Sequence, residues 1–147
     1  MTRAMLVAVL YRLEGKPSVS GRSGFSDVTS GSYYEDAVTW AADNGIVYGT
    51  SASTFSPNAN VTREQMTAIL YRYAQYKKYD TAASSSLNGF TDHASVSGYA
   101  AASLEWAVAE ELVYGSAGKL MPTGDATRAQ VAAILHRFVE NVAKTTK

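Results

Sequence analysis

The dipeptide Thr-Arg recurs at positions 2–3, 62–63 and 127–128, and each time it opens an apolar run of the same helical pattern. The runs are Met1-Thr2-Arg3-Ala4-Met5-Leu6-Val7-Ala8-Val9-Leu10, Val61-Thr62-Arg63-Glu64-Gln65-Met66-Thr67-Ala68-Ile69-Leu70 and Ala126-Thr127-Arg128-Ala129-Gln130-Val131-Ala132-Ala133-Ile134-Leu135. Other landmarks repeat in the same order: Gly24-Phe25-Ser26-Asp27 with Gly89-Phe90-Thr91-Asp92, Trp40 with Trp106, Val47-Tyr48-Gly49 with Val113-Tyr114-Gly115, and Pro57 with Pro122. A period of this length means that one supersecondary unit is used again, and such a unit buries its apolar face against neighbours rather than alone. The chain therefore reads as one domain, 1–147, holding two whole repeats, 24–79 and 89–143, after the closing helix of an incomplete one at 1–14. Gly15 to Gly24 and Tyr79 to Gly89 are polar, small-residue linkers without apolar period.

Within a repeat, Ser32-Tyr33-Tyr34-Glu35 has the Ser-x-x-Glu spacing of a helix start, and Ala37, Val38, Trp40 and Ala41 follow at helical spacing. Gly45 is expected to end that helix. The stretch 45–60 is irregular, with room for a short β piece. A second helix opens at Thr62, whose hydroxyl can cap Gln65 while the Gln65 amide reaches back, and Thr127 with Gln130 repeats this capping box. The apolar stripes are Leu6, Val9, Leu10 and Leu13; Met66, Ile69, Leu70 and Tyr73; and Val131, Ile134, Leu135 and Phe138. Three like helices, each with one stripe, suggest a shared bundle and an all-α fold.

Composition removes several classes of function. Thirteen Lys plus Arg balance thirteen Asp plus Glu, so there is no field of one sign to hold nucleic acid or an anionic bilayer. The absence of cysteine excludes thiol catalysis, disulfides and Cys-ligated metal, and the two histidines, His93 and His136, cannot build a multi-His site. No apolar window reaches the roughly 18 residues of a membrane helix. The cation and apolar run at residues 1–10 superficially fit a signal peptide, but that string is one copy of the repeated element. No Gly-x-Ser-x-Gly elbow frames a nucleophile and no Gly-rich phosphate loop is present; composition leaves room for a carboxylate pair of a small glycoside hydrolase, but nothing marks such a pair, and the chain reads as non-enzymatic and without a cofactor.

The run from Phe25-Ser26-Asp27-Val28 through Tyr34-Glu35-Asp36-Ala37-Val38 and Gly45-Ile46-Val47-Tyr48-Gly49 to Phe55-Ser56-Pro57 and Val61-Thr62-Arg63 resembles an S-layer homology (SLH) repeat. Phe90-Thr91-Asp92 to Ala126-Thr127-Arg128 resembles another, and residues 1–14 resemble the closing helix of a preceding one. The resemblance implies tandem helix–loop–helix repeats in a pseudo-threefold arrangement around a central helix bundle, with at most short β pieces in loops. It implies a non-catalytic, extracellular module that anchors bacterial surface proteins by binding secondary cell-wall polysaccharide, often pyruvylated, in grooves between repeats. Carried onto this chain, the glycan-binding candidates are Arg3, Asp27, Trp40, Gly49, Arg63, Asp92, Trp106, Gly115 and Arg128, with Arg3 facing Asp27 and Trp40, and Arg63 facing Asp92 and Trp106. The family's usual Thr-Arg-Ala-Glu reads here as Thr2-Arg3-Ala4-Met5, Thr62-Arg63-Glu64-Gln65 and Thr127-Arg128-Ala129-Gln130, so its acidic member is absent or moved by one position.

The residue types suit the task. Guanidinium meets the carboxylate of a pyruvate ketal with two parallel charge-assisted hydrogen bonds, an aromatic face supports a pyranose, and Asp accepts from sugar hydroxyls. Each also has a plain structural reading: Thr62 and Thr127 as caps, the arginines as solvated or Asp-paired, Trp40 and Trp106 as core, and Asp27 and Asp92 as turn formers. The alternative function is a structural or protein–protein interaction repeat whose Arg and Asp residues pair with each other. Because residues 1–14 supply no first helix, Arg128 lacks a following Asp and Trp, and two complete grooves are expected. The uncovered apolar surface is then expected to be closed by self-association or by a complementing fragment.

Overall fold

The computed structural model describes residues 1–143; the last four residues of the 1–147 reading lie outside them. Among the described residues five α-helices carry the fold: α1 Arg3–Leu13, α2 Glu35–Asp43, α3 Arg63–Tyr76, α4 Ala101–Ala109 and α5 Arg128–Asn141, with single 3₁₀ turns at His93–Ser95 and Gly98–Ala100. Among the described residues the only β pairings are the isolated bridges Thr2 to Asn60, Thr62 to Asp125 and Ser116 to Lys119. The architecture is all-α.

The chain forms two compact units, Met1–Val61 and a second beginning at Thr62. In the first, α1 packs on α2. Leu6, Val7 and Leu10 of α1 and Val38 and Ala41 of α2 are buried, and Ile46, Phe55 and Val61 complete the core. Tyr11 meets Trp40 with ring centroids 5.6 Å apart. The expected stripe holds at Leu6 and Leu10 and fails at Leu13, which is 52% exposed. Tyr11, not Leu13, turns its side chain onto α2 at that end of the helix.

In the second unit α3 packs on α4 and on the 3₁₀ turn before it. All four expected stripe residues of α3, Met66, Ile69, Leu70 and Tyr73, are buried. Phe138 of α5 joins them through Tyr73 (5.9 Å) and Trp106 (6.5 Å).

The capping boxes at Thr62/Gln65 and Thr127/Gln130 form in full. The Gln65 and Gln130 amides thus complete a box at the position where the Thr-Arg-Ala-Glu pattern has its glutamate. Thr2 caps Met5 through its hydroxyl alone, since Met5 has nothing to return. Two further N–H groups in each of α1 and α3 are satisfied from afar: in the first unit Arg3 and Ala4 donate to Ala59 and Pro57 carbonyls, and in the second Arg63 and Glu64 donate to those of Gly124 and Pro122. The recurring proline thus receives the helix that closes the previous sequence repeat.

The start of α2 departs from expectation. Ser32 does not cap it; the helix begins at Glu35, its N-cap is Tyr34 without a side-chain bond, and Ser32 to Tyr34 form a turn. The Glu35 carboxylate accepts instead from the Gly31 N–H at 3.0 Å, one residue further back than a capping box requires. The far end follows the sequence: Gly45 (φ 69°) donates to the Ala42 carbonyl and Ile46 to that of Ala41, a Schellman closure.

Candidate functional site

Arg3 is the first residue of α1 and is only 5% exposed. Its Nε donates to the Phe55 carbonyl at 2.9 Å and its Nη2 to the Tyr48 carbonyl at 3.0 Å. The guanidinium also lies 4.6 Å from the Phe55 ring centroid. The N–H groups of Phe55 and Ser56 donate, each at 2.8 Å, to the two Asp27 oxygens. Burial raises the Asp27 carboxyl, but those N–H donors and the Arg3 charge outweigh it and hold the group below the usual carboxylate range. Arg3 and Asp27 therefore grip one backbone segment from two sides. Arg3, Asp27 and Trp40 belong to the same unit.

The second unit repeats half of this device. Asp92 accepts from the Leu120 and Met121 N–H groups, each at 2.8 Å, and the Leu120 bond leads in holding its carboxyl low. Arg63, Asp92 and Trp106 share this unit, but the arginine behaves differently. The position of Phe55 is taken by Leu120, and among the described residues no ring receives the Arg63 guanidinium. Arg63 is half-buried, its Nη1 lies 2.5 Å from where a Cβ on Gly124 would stand, and its guanidinium has no hydrogen-bond or ion-pair partner among the described residues.

Arg63 borders a groove of about 220 Å³ whose other walls include Tyr114, Gly115, Gln130, Ile134 and Arg137. Arg137 Nη1 donates to the Leu112 carbonyl at 3.1 Å, and its guanidinium sits 4.7 Å from the Tyr114 ring centroid. Among the described residues two guanidinium groups and no carboxylate line this groove. It can accept an anion, with a tyrosine face and apolar side chains beside the charge.

The remaining sequence candidates occupy varied places. Trp40 and Trp106 are 2% and 1% exposed and serve as core; Trp106 packs on Tyr71 at 5.2 Å. Gly49 and Gly115 admit the Phe25 and Phe90 rings, whose Cε1 atoms lie 2.6 and 2.8 Å from where a Cβ would be. Arg128 is exposed at the start of α5 and does not line the groove, although Gln130 of the same turn does. The residues not singled out from sequence are Tyr48 and Tyr114, 61% and 60% exposed, and Arg137. The repeated Val-Tyr-Gly motif and the Arg at 12, 72 and 137 were the signals that could have found them. Among the described residues no group of three His, Cys, Asp or Glu could hold a metal, and no helix is long and apolar enough to cross a membrane.

The S-layer homology domain matches residues 24–67 and 89–132. An amylopullulanase of Thermoanaerobacterium thermosulfurigenes is 34% identical over 145 residues, 95% of this chain and 8% of that protein. A surface-layer 125 kDa protein of Lysinibacillus sphaericus is 34% identical over 86% of this chain and 11% of its own length, and exoglucanase XynX of Acetivibrio thermocellus is 32% identical over 95% and 13%. The chain thus spans only 8% to 13% of the length of these relatives. It belongs to the S-layer homology domain family, whose members are cell-wall anchoring modules of surface proteins.

Proposed function

We propose that the chain is a non-catalytic tether that binds secondary cell-wall polysaccharide at the cell surface, through an acidic substituent such as ketal-linked pyruvate seated in the Arg63 groove. The observation that carries this reading is the lining: two guanidinium groups, no carboxylate among the described residues, and the Tyr114 ring beside the Arg137 guanidinium. An unengaged Arg63 can give a carboxylate two parallel hydrogen bonds, while Tyr114 and the neighbouring apolar side chains suit the less polar face of a sugar ring. Arg137 is held to the Leu112 carbonyl and the Tyr114 face, so its charge is fixed at the groove before any ligand arrives.

Calorimetry with purified wall polysaccharide, intact and stripped of pyruvate by mild acid, tests the reading. A charge-assisted hydrogen bond is worth about 1.5–3 kcal/mol, so Arg63→Ala should weaken binding roughly tenfold to hundredfold. Arg63→Lys should weaken it as well, because an ammonium cannot form the paired contact. Equal affinity for the stripped glycan, or for a folded Arg63→Ala chain, overturns the proposal.

The structural reading is favoured at one place. Arg3 is buried, gives its donors to backbone carbonyls and acts electrostatically on Asp27. There the Thr-Arg and Phe-x-Asp motifs serve as a loop clamp.

A further inference from the structure

We propose that the residue at the Phe55/Leu120 position decides which arginine of the repeated motif can face a ligand. Phe55 draws Arg3 into a structural role, and Leu120 leaves Arg63 as the presented guanidinium. Its use for an acidic glycan rests on the reading above; the difference between the two arginines does not.

The two positions are equivalent by their partners: the N–H of Phe55 is held by Asp27, and that of Leu120 by Asp92, in each case by Oδ1 at 2.8 Å. Both side chains are buried, at 0% and 2% exposure. Only one is aromatic. A guanidinium gains from lying over a ring, most of all where water is excluded, and Arg3 does so while donating to the Phe55 and Tyr48 carbonyls. An isobutyl group offers no such face. Arg63 therefore turns toward Gly124, where the missing side chain leaves space for Nη1, and borders the groove. The same Thr-Arg dipeptide thus has two outcomes, set by a residue 52 or 57 positions further along the chain.

Modification of the intact chain by phenylglyoxal, with sites followed by mass spectrometry, reads guanidinium availability without any glycan. Arg63 should react faster than Arg3 by about tenfold or more, since a buried, bonded guanidinium must first be released. Phe55→Leu should raise the Arg3 rate by about threefold to thirtyfold, the range that a cation–π contact of this kind commands. Leu120→Phe should slow Arg63. Equal rates for Arg3 and Arg63 in the unaltered chain overturn the proposal, as does an Arg3 rate unmoved by a folded Phe55→Leu chain. If either variant fails to fold, the unaltered chain's ratio decides alone.

A second arm adds pyruvylated wall polysaccharide to the unaltered chain. Protection of Arg63 and not of Arg3 supports both this inference and the glycan reading. A strong difference in rate without protection supports the role of Leu120 and overturns the glycan reading.

Discussion

Glu64 holds Ser97: its carboxylate accepts from the Ser97 hydroxyl at 2.6 Å and from the Ser97 N–H at 2.9 Å, which ties the start of α3 to the segment ahead of α4. In the first unit the same positions are Ala4 and Ser32. There the Ser32 hydroxyl oxygen is buried without a hydrogen-bond partner among the described residues. A buried orphan hydroxyl costs about 1–3 kcal/mol, whereas one bonded to a carboxylate contributes about 1.5–3 kcal/mol. The same substitution should therefore have opposite signs: Ser97→Ala lowers stability, and Ser32→Ala leaves it unchanged or raises it. Urea unfolding of both variants checks this, and loss of stability at Ser32 would sink it.

A second pair contrasts Gly45 with Glu111. Both close a helix by the same pattern, for Glu111 donates to the Val108 carbonyl and Leu112 to that of Ala107, and both sit in the left-handed region, at φ 69° and 58°. Glycine takes that conformation without a Cβ penalty, while glutamate does not. Glu111→Gly should raise stability by roughly 0.5–1 kcal/mol after the extra entropy of an unfolded glycine is counted. Gly45→Ala should lower it by about 1 kcal/mol through conformation alone, because the nearest atom to an added Cβ, Tyr48 Oη, is 4.0 Å away.

These contrasts show what could be read before the fold was seen. The Thr62 and Thr127 boxes and the Gly45 stop are local, formed within a few residues, and the sequence spelled them out. Ser32 had the right spacing for a cap, but its hydroxyl turned inward and the helix began later, a tertiary effect that no local pattern carries. The alanines around Trp40 and Trp106 signalled core as plausibly as groove, and core prevailed. Arg137 and Tyr114 were not among the site candidates, although Tyr114 lies in a repeated motif, because they acquire meaning only when α5 and the Val-Tyr-Gly loop line one groove. The change from Phe55 to Leu120 is plain in the sequence, yet nothing there says that an arginine far upstream depends on it.

Acid should act through Asp27 and Asp92. Both carboxyls lie below their ordinary value of 3.8 in the folded chain, so folding favours their ionised form. The stability they supply is complete above the unfolded-state value and is lost as pH falls through the folded ones. Denaturant midpoints should stay level from neutral pH to about 5 and drop below about 4. Asp92→Asn should be less stable at neutral pH by about 1.5–3 kcal/mol and show a shallower acid limb, because an amide cannot receive both the Leu120 and Met121 donors as well as a carboxylate. An acid limb as steep as that of the unaltered chain would remove Asp92 from this account.

Gly49 shows why the Phe-x-Asp and Val-Tyr-Gly motifs travel together. A Cβ at Gly49 would overlap the Ser51 and Thr54 carbonyl oxygens and stand 2.6 Å from Phe25 Cε1. Two of these three obstacles are backbone, in a loop that Asp27 fastens by its two N–H contacts. A flexible ring could step aside; a fastened carbonyl cannot without breaking those bonds. Gly49→Ala should therefore cost about 2–3 kcal/mol, toward the large end for a single substitution. Shrinking the ring should not restore it: in a double-mutant cycle Phe25→Leu should recover only a small part of the loss, since the backbone overlap remains. Full recovery in the double variant would show that the ring, and not the fastened loop, is what requires glycine at this position.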